Sequence, residues 1–531
     1  MPPFLVAGDK LAYLLPDGTE LFSDVTFSIR PHQKVALVGD NGSGKSSLAR
    51  LLSEALVPAR GGLIVGGRIA LLAQDATPPG GLRVVDYLRV GAKFDALTRN
   101  HGGVATVEDM ALVADDWGLE DDLCRQLREL GLGHVSLTHR VTDLSGGEWL
   151  RLQILGVQQS NPDLLILDEP SNHLDQAGRA WLETWLRNAA FAWLLISHDR
   201  HLLALPDEIW ELTQTSLDTY GGNYTHYLEE KTSQQQAVIG RIAHARQAER
   251  QAQRNQQVAR ERLERRAAKG RRERSKGSQP KIVLDGRMAR SQHTASRLNQ
   301  IKHARLSAAE DRVATARAGL KETTPVQFDA AASEVHPHQP VLDVAGLCFG
   351  YGTRALLNNF CWSVKGPQRL HLAGENGSGK STLLDLIAGR KTPDNGTVTR
   401  RVPIGYLLQQ EDHAPMETPL DRCLAYRPQW PQTDIRTSLA RVGLRREKAV
   451  TAFDQLSAGE RLRADLVRLL NCPEPAQLLL LDEPSNHLDI NALEALETAL
   501  KAYRGALLFT SHDPIFVESM NVSDVVRLGP D

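Results

Sequence analysis

Several things are scarce in this chain of 531 residues. There are five cysteines (Cys124, Cys348, Cys361, Cys423 and Cys472), none in a CxxC or other metal-ligand spacing. Neither a disulfide framework nor a zinc site is expected from them. No apolar run approaches the ~18 residues of a membrane span. The longest, residues 189–196, is strand-sized. Residues 1–10 lack a basic segment followed by an apolar one, so no secretory signal is expected. An excess of one charge is missing too: 62 Lys+Arg stand against 64 Asp+Glu, a net of -2. Taken alone, that balance argues against a nucleic-acid partner. These absences leave a reduced, cytoplasmic, soluble protein, and at ~150 residues per domain the length suggests about three or four domains.

What is present is a duplication. Gly39-Asp40-Asn41-Gly42-Ser43-Gly44-Lys45-Ser46 returns as Gly374-Glu375-Asn376-Gly377-Ser378-Gly379-Lys380-Ser381. Leu167-Asp168-Glu169-Pro170-Ser171-Asn172-His173-Leu174-Asp175 returns unchanged at residues 481–489, and Ser197-His198-Asp199 returns as Ser511-His512-Asp513. Asp168 lies 30 residues before His198, as Asp482 does before His512. The offset between halves is 335 at Lys45/Lys380 and at Gln74/Gln409, but 312 at Ser145/Ser457. The first half therefore carries about 23 extra residues within 75–143, a stretch that includes the polar, helix-compatible segment 107–130.

Between the repeats the composition changes. Residues 231–330 hold 23 Lys+Arg and 9 Asp+Glu, a net of +14, which leaves -16 for the rest. No Phe, Trp or Tyr occurs from 231 to 327. Ala, Gln, Arg and Glu dominate and all tolerate helix, with a break at Gly277-Ser278-Gln279-Pro280. Two long helices joined by a basic turn are expected, the first over about 234–269. The competing reading is a disordered charged linker. Ile239, Ile242, Val258 and Leu263 are too sparse for a continuous coiled-coil seam.

Each glycine-rich segment follows an apolar strand-like run (34–38, 369–373) and precedes a helix-like one. Strand, Gly-rich loop, helix is the context of a P-loop. Glycines let backbone N–H groups converge on phosphate oxygens, and the helix N-terminus adds partial positive charge. Lys45 and Lys380 would reach the β- and γ-phosphates, and Ser46 and Ser381 would ligate Mg²⁺, with Ser47 and Thr382 continuing the two loops. Asp168 and Asp482 end apolar strands and are placed to orient Mg²⁺. Glu169 and Glu483 follow as general bases for water attacking the γ-phosphate. His198 and His512 each follow another apolar strand, within reach of that phosphate.

These residues resemble the ATP-binding cassette family. Leu144-Ser145-Gly146-Gly147-Glu148 resembles its signature motif, which reads Leu456-Ser457-Ala458-Gly459-Glu460 in the second half. By the same resemblance Gln74 and Gln409 are the Q-loop glutamines beside Mg²⁺, and 171–175 and 485–489 are D-loops. It implies a head-to-tail sandwich with each ATP between one half's P-loop and the other's signature. Lys45 would share a site with Ser457 and Gly459, and Lys380 with Ser145, Gly146 and Gly147. Glu148 and Glu460 would belong to the same ATP-binding segments. Tyr351 would stack on adenine in the second half, where the first offers Leu15. Ala458 replaces a signature glycine, and a methyl there would slow the site built with Lys45.

The segment Tyr220-Gly221-Gly222-Asn223-Tyr224, the twin Ser-Asn-His-Leu-Asp loops and the basic linker are similar to the ABC-F family. That resemblance covers essentially the whole chain. It implies an α/β protein, two P-loop ATP-binding cassette domains (1–230 and 338–531) joined by a long α-helical hairpin linker (231–337), with an arm-like insertion within 75–143. It also implies a cytoplasmic monomeric ATPase, using ATP and Mg²⁺, whose cassettes close intramolecularly. Its partner would be the ribosome near the exit tRNA site, with the linker reaching rRNA and P-site tRNA. The outcome would be translation control, rescue of stalled ribosomes or antibiotic protection. The RNA-contacting candidates are Arg265, Arg266, Lys269, Arg271, Arg272, Arg274 and Lys276. The alternatives are the energy subunit of a membrane exporter, against which the basic insert counts, and a DNA-directed ATPase, which is expected to carry a C-terminal module that does not follow the second cassette here.

Overall fold

The computed structural model describes residues 4–73, 78–114, 116–172, 174–275, 331–352, 354–375, 377–408, 416–486 and 488–529. The described chain falls into two compact units, Met1–Tyr224 with Thr324–Asp531, and Thr225–Thr323.

In the first unit both halves build the same layers. The first half has a six-stranded sheet in the order Ile69–Leu72, Leu164–Asp168, Ala192–Ile196, Lys34–Val38, Glu208–Leu212, Leu217–Gly221. All neighbours are parallel except the last pair. The second half repeats it with Ile404–Leu407, Leu478–Leu481, Ala506–Phe509, Arg369–Ala373 and Asp524–Arg527, all parallel. Each half adds an antiparallel sheet, Glu20–Ile29 with Val6–Leu14 and Arg60–Val65, and Arg354–Lys365 with Pro340–Tyr351 and Asn395–Arg400.

The continuous apolar runs follow from burial of the parallel sheets on both faces. Leu164, Ile166, Leu194 and Ile196 join the cluster that holds Phe22, Val25 and Leu48. The alternate residues Leu165, Leu167, Trp193 and Leu195 pack with Leu150, Ile154, Leu182 and Leu186 on the opposite face. Leu478 and Leu480, against Leu479 and Leu481, divide the same way in the second half. This period of two fixes the register, and parallel pairing then delivers three adjacent strand ends to one edge. Those ends lead into the P-loop, Glu169 and His198, or their counterparts. Carboxyl edges of parallel sheets are where such folds bind ligands.

The extra residues of the first half lie among helices Gly91–His101, Val107–Val113 and Leu119–Glu129. Thr106 caps the second of these and Asp109 closes the capping box. Ala96, Leu97 and Val113 form its small core, while Val107 and Met110 stay exposed.

The second unit is described through one helix, Tyr224–Ser275, of 52 residues, or roughly 78 Å at 1.5 Å per residue. It extends past both ends of the expected 234–269. The turn at Gly277 and the second linker helix lie outside the described residues. Among the described residues no helix is long and apolar enough to cross a membrane, and all five cysteines are free thiols.

Candidate functional site

Helix Lys45–Leu52 starts from Gly44 at φ 98°, and helix Lys380–Ala388 from Gly379 at φ 95°. That left-handed geometry favours glycine. At Gly39 and Gly374 the reason is space: a Cβ would stand 2.5 Å from the Leu212 carbonyl oxygen and 2.4 Å from that of Leu528. Each loop folds around its lysine. Lys45 Nζ donates to the carbonyls of Gly39 (2.8 Å) and Asp40 (3.2 Å). Lys380 Nζ donates to those of Gly374 (2.7 Å) and Glu375 (3.0 Å). Both ammonium groups are buried, and burial pulls their pKa values down. The Ser43 and Ser378 hydroxyls are buried without a hydrogen-bond partner among the described residues. A loop with converging amides, a buried cation and an unused donor fits a polyphosphate.

Glu169 and Glu483 adopt φ 50° and φ 45°. Non-glycine residues pay strain there and persist only where the surroundings over-determine them. The backbone N–H of Glu169 donates to the Ile196 carbonyl at 2.8 Å, and that of Glu483 to Thr510 Oγ1 at 2.9 Å. The Thr510 hydroxyl in turn donates to Asp482 at 2.9 Å. Each Glu carboxylate faces its histidine: 3.6 Å between Glu169 and His198 Nε2, 3.5 Å between Glu483 and His512 Nε2. His512 Nε2 also lies 3.5 Å from Lys380 Nζ.

Burial sets the charge states. It raises the Glu483 carboxyl to about 7, against the pull of the His512 backbone N–H and Lys380. Glu169 is raised in the same way, opposed by Lys45. Burial and Lys45 push His198 down to about 3, and burial, Lys380 and Arg179 push His512 down to about 4. Both imidazoles are therefore neutral at pH 7, each with one donor and one acceptor nitrogen.

Ser145 and Ser457 each cap a helix, Gly146–Gln158 and Ala458–Leu470. Their hydroxyls accept from the Glu148 and Glu460 backbone N–H groups. The two carboxylates accept in return from the serine N–H groups, at 2.8 and 3.1 Å. Glu148 and Glu460 are thus engaged in capping boxes, which leaves the glycine amides at the helix N-termini for an anion. Ala458 packs on the apolar cluster of Leu462, Ala492 and Leu493.

The two halves meet at these loops. The Asn41 N–H donates to Asp489 Oδ2 at 3.3 Å, and Asn491 Nδ2 to Asp40 at 2.8 Å. In the other direction the charge of Asp175 acts on Lys380. Each D-loop lies beside the other half's P-loop, as the head-to-tail expectation requires. Sequence reasoning missed Asn491, Thr510 and an interdomain pair between Arg200 and Glu497. Only tertiary contact identifies them.

Tyr351 is half exposed, and Lys391 Nζ donates to its hydroxyl at 2.5 Å. Gln74, Gln409, Asn376 and Lys276 lie outside the described residues. Arg265 is exposed on the long helix. For Arg266, Lys269, Arg271, Arg272 and Arg274 only the helical backbone is described.

The family model for ABC transporter proteins matches residues 22–172 and 357–486. The chain is 32% identical over 512 residues to the probable ATP-binding protein YheS of Escherichia coli K12, covering 93% of this chain and 74% of that one. It is 31% identical over 536 residues to the tylosin resistance ATP-binding protein TlrC of Streptomyces fradiae, covering 94% and 92%. Its fold resembles that of the archaeal ribosome recycling factor aABCE1, solved with the ribosomal stalk protein aP1. The TM-score is 0.55 at 15% identity, over 98% of this chain and 88% of that one.

Proposed function

Because the chain belongs to the ABC transporter family of ATP-binding cassette proteins, as a tandem-cassette ATPase of the ABC-F type, we propose that it binds the ribosome near the exit tRNA site when ATP closes its cassettes, and that hydrolysis releases it. The observation that carries this is the chain's division of charge: a linker at +14 stands between cassettes whose remainder is -16. A basic linker with no aromatic residue from 231 to 327 suits backbone contacts to folded RNA rather than base stacking. The relatives agree with it: one is named for tylosin resistance, and a protein of the same fold is a ribosome recycling factor. Protection against a ribosome-targeting antibiotic is the outcome we favour, and a drug-susceptibility panel with and without the gene tests it. Co-sedimentation with ribosomes in ATP tests the binding itself. Retention with membranes or on DNA instead would overturn it.

In this reading Lys45 and Lys380 neutralise the β- and γ-phosphates while the loop amides hold them. Mg²⁺, when bound by Ser46 with Asp168 or Ser381 with Asp482, supplies charge neutralisation on the phosphate oxygens. Glu169 or Glu483 takes the proton of the attacking water. His198 or His512, neutral, donates its N–H to the γ-phosphate. A base must be ionised to act, and kcat/KM reports the free enzyme. Below pH 7 the Glu483 carboxyl is protonated, so kcat/KM for ATP should fall about tenfold per pH unit on the acid side of neutrality. A pH profile of the Glu169→Gln variant checks this, and a flat profile down to the ordinary carboxylate range would remove Glu483 as the base.

The sites should also differ. Ala458 and Leu15 both belong to the site built with Lys45. The Glu483→Gln variant, which keeps that site's own base, is expected to turn over more slowly than Glu169→Gln. Equal residual rates would count against a slow first site.

A further inference from the structure

The Arg200 guanidinium and the Glu497 carboxylate meet at 2.7 Å across the two halves, with side chains only 8% and 10% exposed. Arg200 stands two residues after His198, so it ends the loop that carries that histidine. Glu497 lies on helix Ile490–Ala502, whose N-cap is Asp489. The first turn of that helix holds the first P-loop through Asp489 to Asn41 and Asn491 to Asp40. Glu497 comes seven residues after the helix start, about 10 Å further along the axis. One helix of the second cassette therefore grips the first nucleotide site twice, at the P-loop and at the histidine loop.

At the second site the counterparts of this pair do not meet, although the charge of Arg179, on the first half's D-loop helix, acts on Glu483 and His512. With the offset of 314 that relates Asp168 to Asp482 and His198 to His512, Arg200 corresponds to Pro514 and Glu497 to Glu183. Proline carries no charge. Glu183 instead pairs with Arg187 one turn along its own helix, at 2.6 Å. Pro514 opens a short helix capped by Asp513, whose carboxylate accepts from the Ile515 and Phe516 N–H groups.

A buried ion pair adds little net stability, but removing one partner strands the other charge. Such a pair is better read as specifying geometry. Tyr224, the first residue of the long helix, is buried beside it, and that burial lifts its phenol to about 12.

We propose that Arg200 and Glu497 are positioning residues for the first nucleotide site alone, locking the second cassette's D-loop helix over ATP held by Lys45, so that this site retains its nucleotide longer than the Lys380 site. The proposal rests on the ATPase reading above. It makes the asymmetry a property of the clamp, separate from the Ala458 signature.

The test uses the full chain with Glu169→Gln and Glu483→Gln, photolabelled with radioactive 8-azido-ATP after increasing times of chase with unlabelled ATP. Trypsin cutting in the arginine-rich linker then separates the two cassettes. Without substitution at Arg200, label should persist longer on the first cassette. Arg200→Ala should speed its loss from the first cassette about tenfold or more, and leave the second within about twofold. Glu497→Ala should do the same. The double substitution should be no worse than either single one, because both remove one interaction. Arg200→Lys should restore much of the retention. Equal acceleration on both cassettes, no acceleration, or additive single effects would overturn the clamp. If neither cassette takes up label before the chase, it is the ATP-binding reading that fails.

Discussion

Replacing Glu169 and Glu483 together with glutamine should lower ATP hydrolysis by about 10²–10⁴-fold while ATP still binds. Glutamine has nearly the same shape and keeps one carbonyl oxygen, so the P-loops, the capped signature helices and the D-loop contacts are untouched. What it removes is the group able to accept a proton from water. The loss should fall on kcat and not on nucleotide affinity, because in the proposed reading Lys45, Lys380 and the loop amides hold the phosphates. The substitution should also not weaken the fold above neutral pH. Burial raises both glutamate pKa values. The folded protein thus holds protons that the unfolded chain releases, and stability falls as pH climbs from the ordinary carboxylate range through about 7. Glutamine does not titrate, so the variant's Tm should lose that slope and match or exceed the parent at alkaline pH. Trapped with ATP, it should pellet with ribosomes and slow growth. Hydrolysis near the parent rate would remove both glutamates as bases. A variant that hydrolyses nothing, keeps ATP and yet stays in the supernatant would uphold the roles of the glutamates in hydrolysis and refute binding to the ribosome.

How far the site was legible depended on how local its chemistry is. The P-loops were visible because strand, glycines and helix start are contiguous, and the same context stands at 34–52 and 369–388. Glu169 and His198 were visible as strand ends, since alternating burial on both faces writes an unbroken apolar run before each. The order of the strands was not visible. Nothing in residues 164–168 says that 192–196 will lie between them and 34–38, and it is this order that brings Glu169 to His198. The capping roles of Glu148 and Glu460 follow from the Ser-x-x-Glu spacing, which is a local signal written within each signature segment. Arg200 and Glu497 had no signal within either half. They are 297 residues apart, and only the break in the repeat at Pro514 hints that the first copy carries something special. The helix Tyr224–Ser275 began ten residues before the expected start because uniform helix-tolerant composition marks an element's presence better than its ends.

The largest solution-dependent effect should come from salt. Each linker cation that neutralises a phosphate releases a counterion, so log affinity falls linearly with log salt, with a slope of about 0.7–0.9 per contact. If Arg265, Arg266, Lys269, Arg271, Arg272, Arg274 and Lys276 supply about six such contacts, ribosome affinity should drop by about 10³-fold between 50 and 200 mM salt. Neutralising four of them (Arg271→Gln, Arg272→Gln, Arg274→Gln and Lys276→Gln) should weaken binding at low salt and flatten the slope by about three units. ATP hydrolysis without ribosomes should not change, because these positions lie in the linker and the nucleotide sites in the cassettes. Quantitative co-sedimentation of the ATP-trapped protein over a salt series reads the slope directly. A slope unchanged by the four substitutions would place the RNA contact elsewhere on the chain. A slope near zero in the parent would mean that binding does not run through phosphates at all, and that the exposed apolar residues Val107 and Met110 of the inserted helices are the better candidates for the contact.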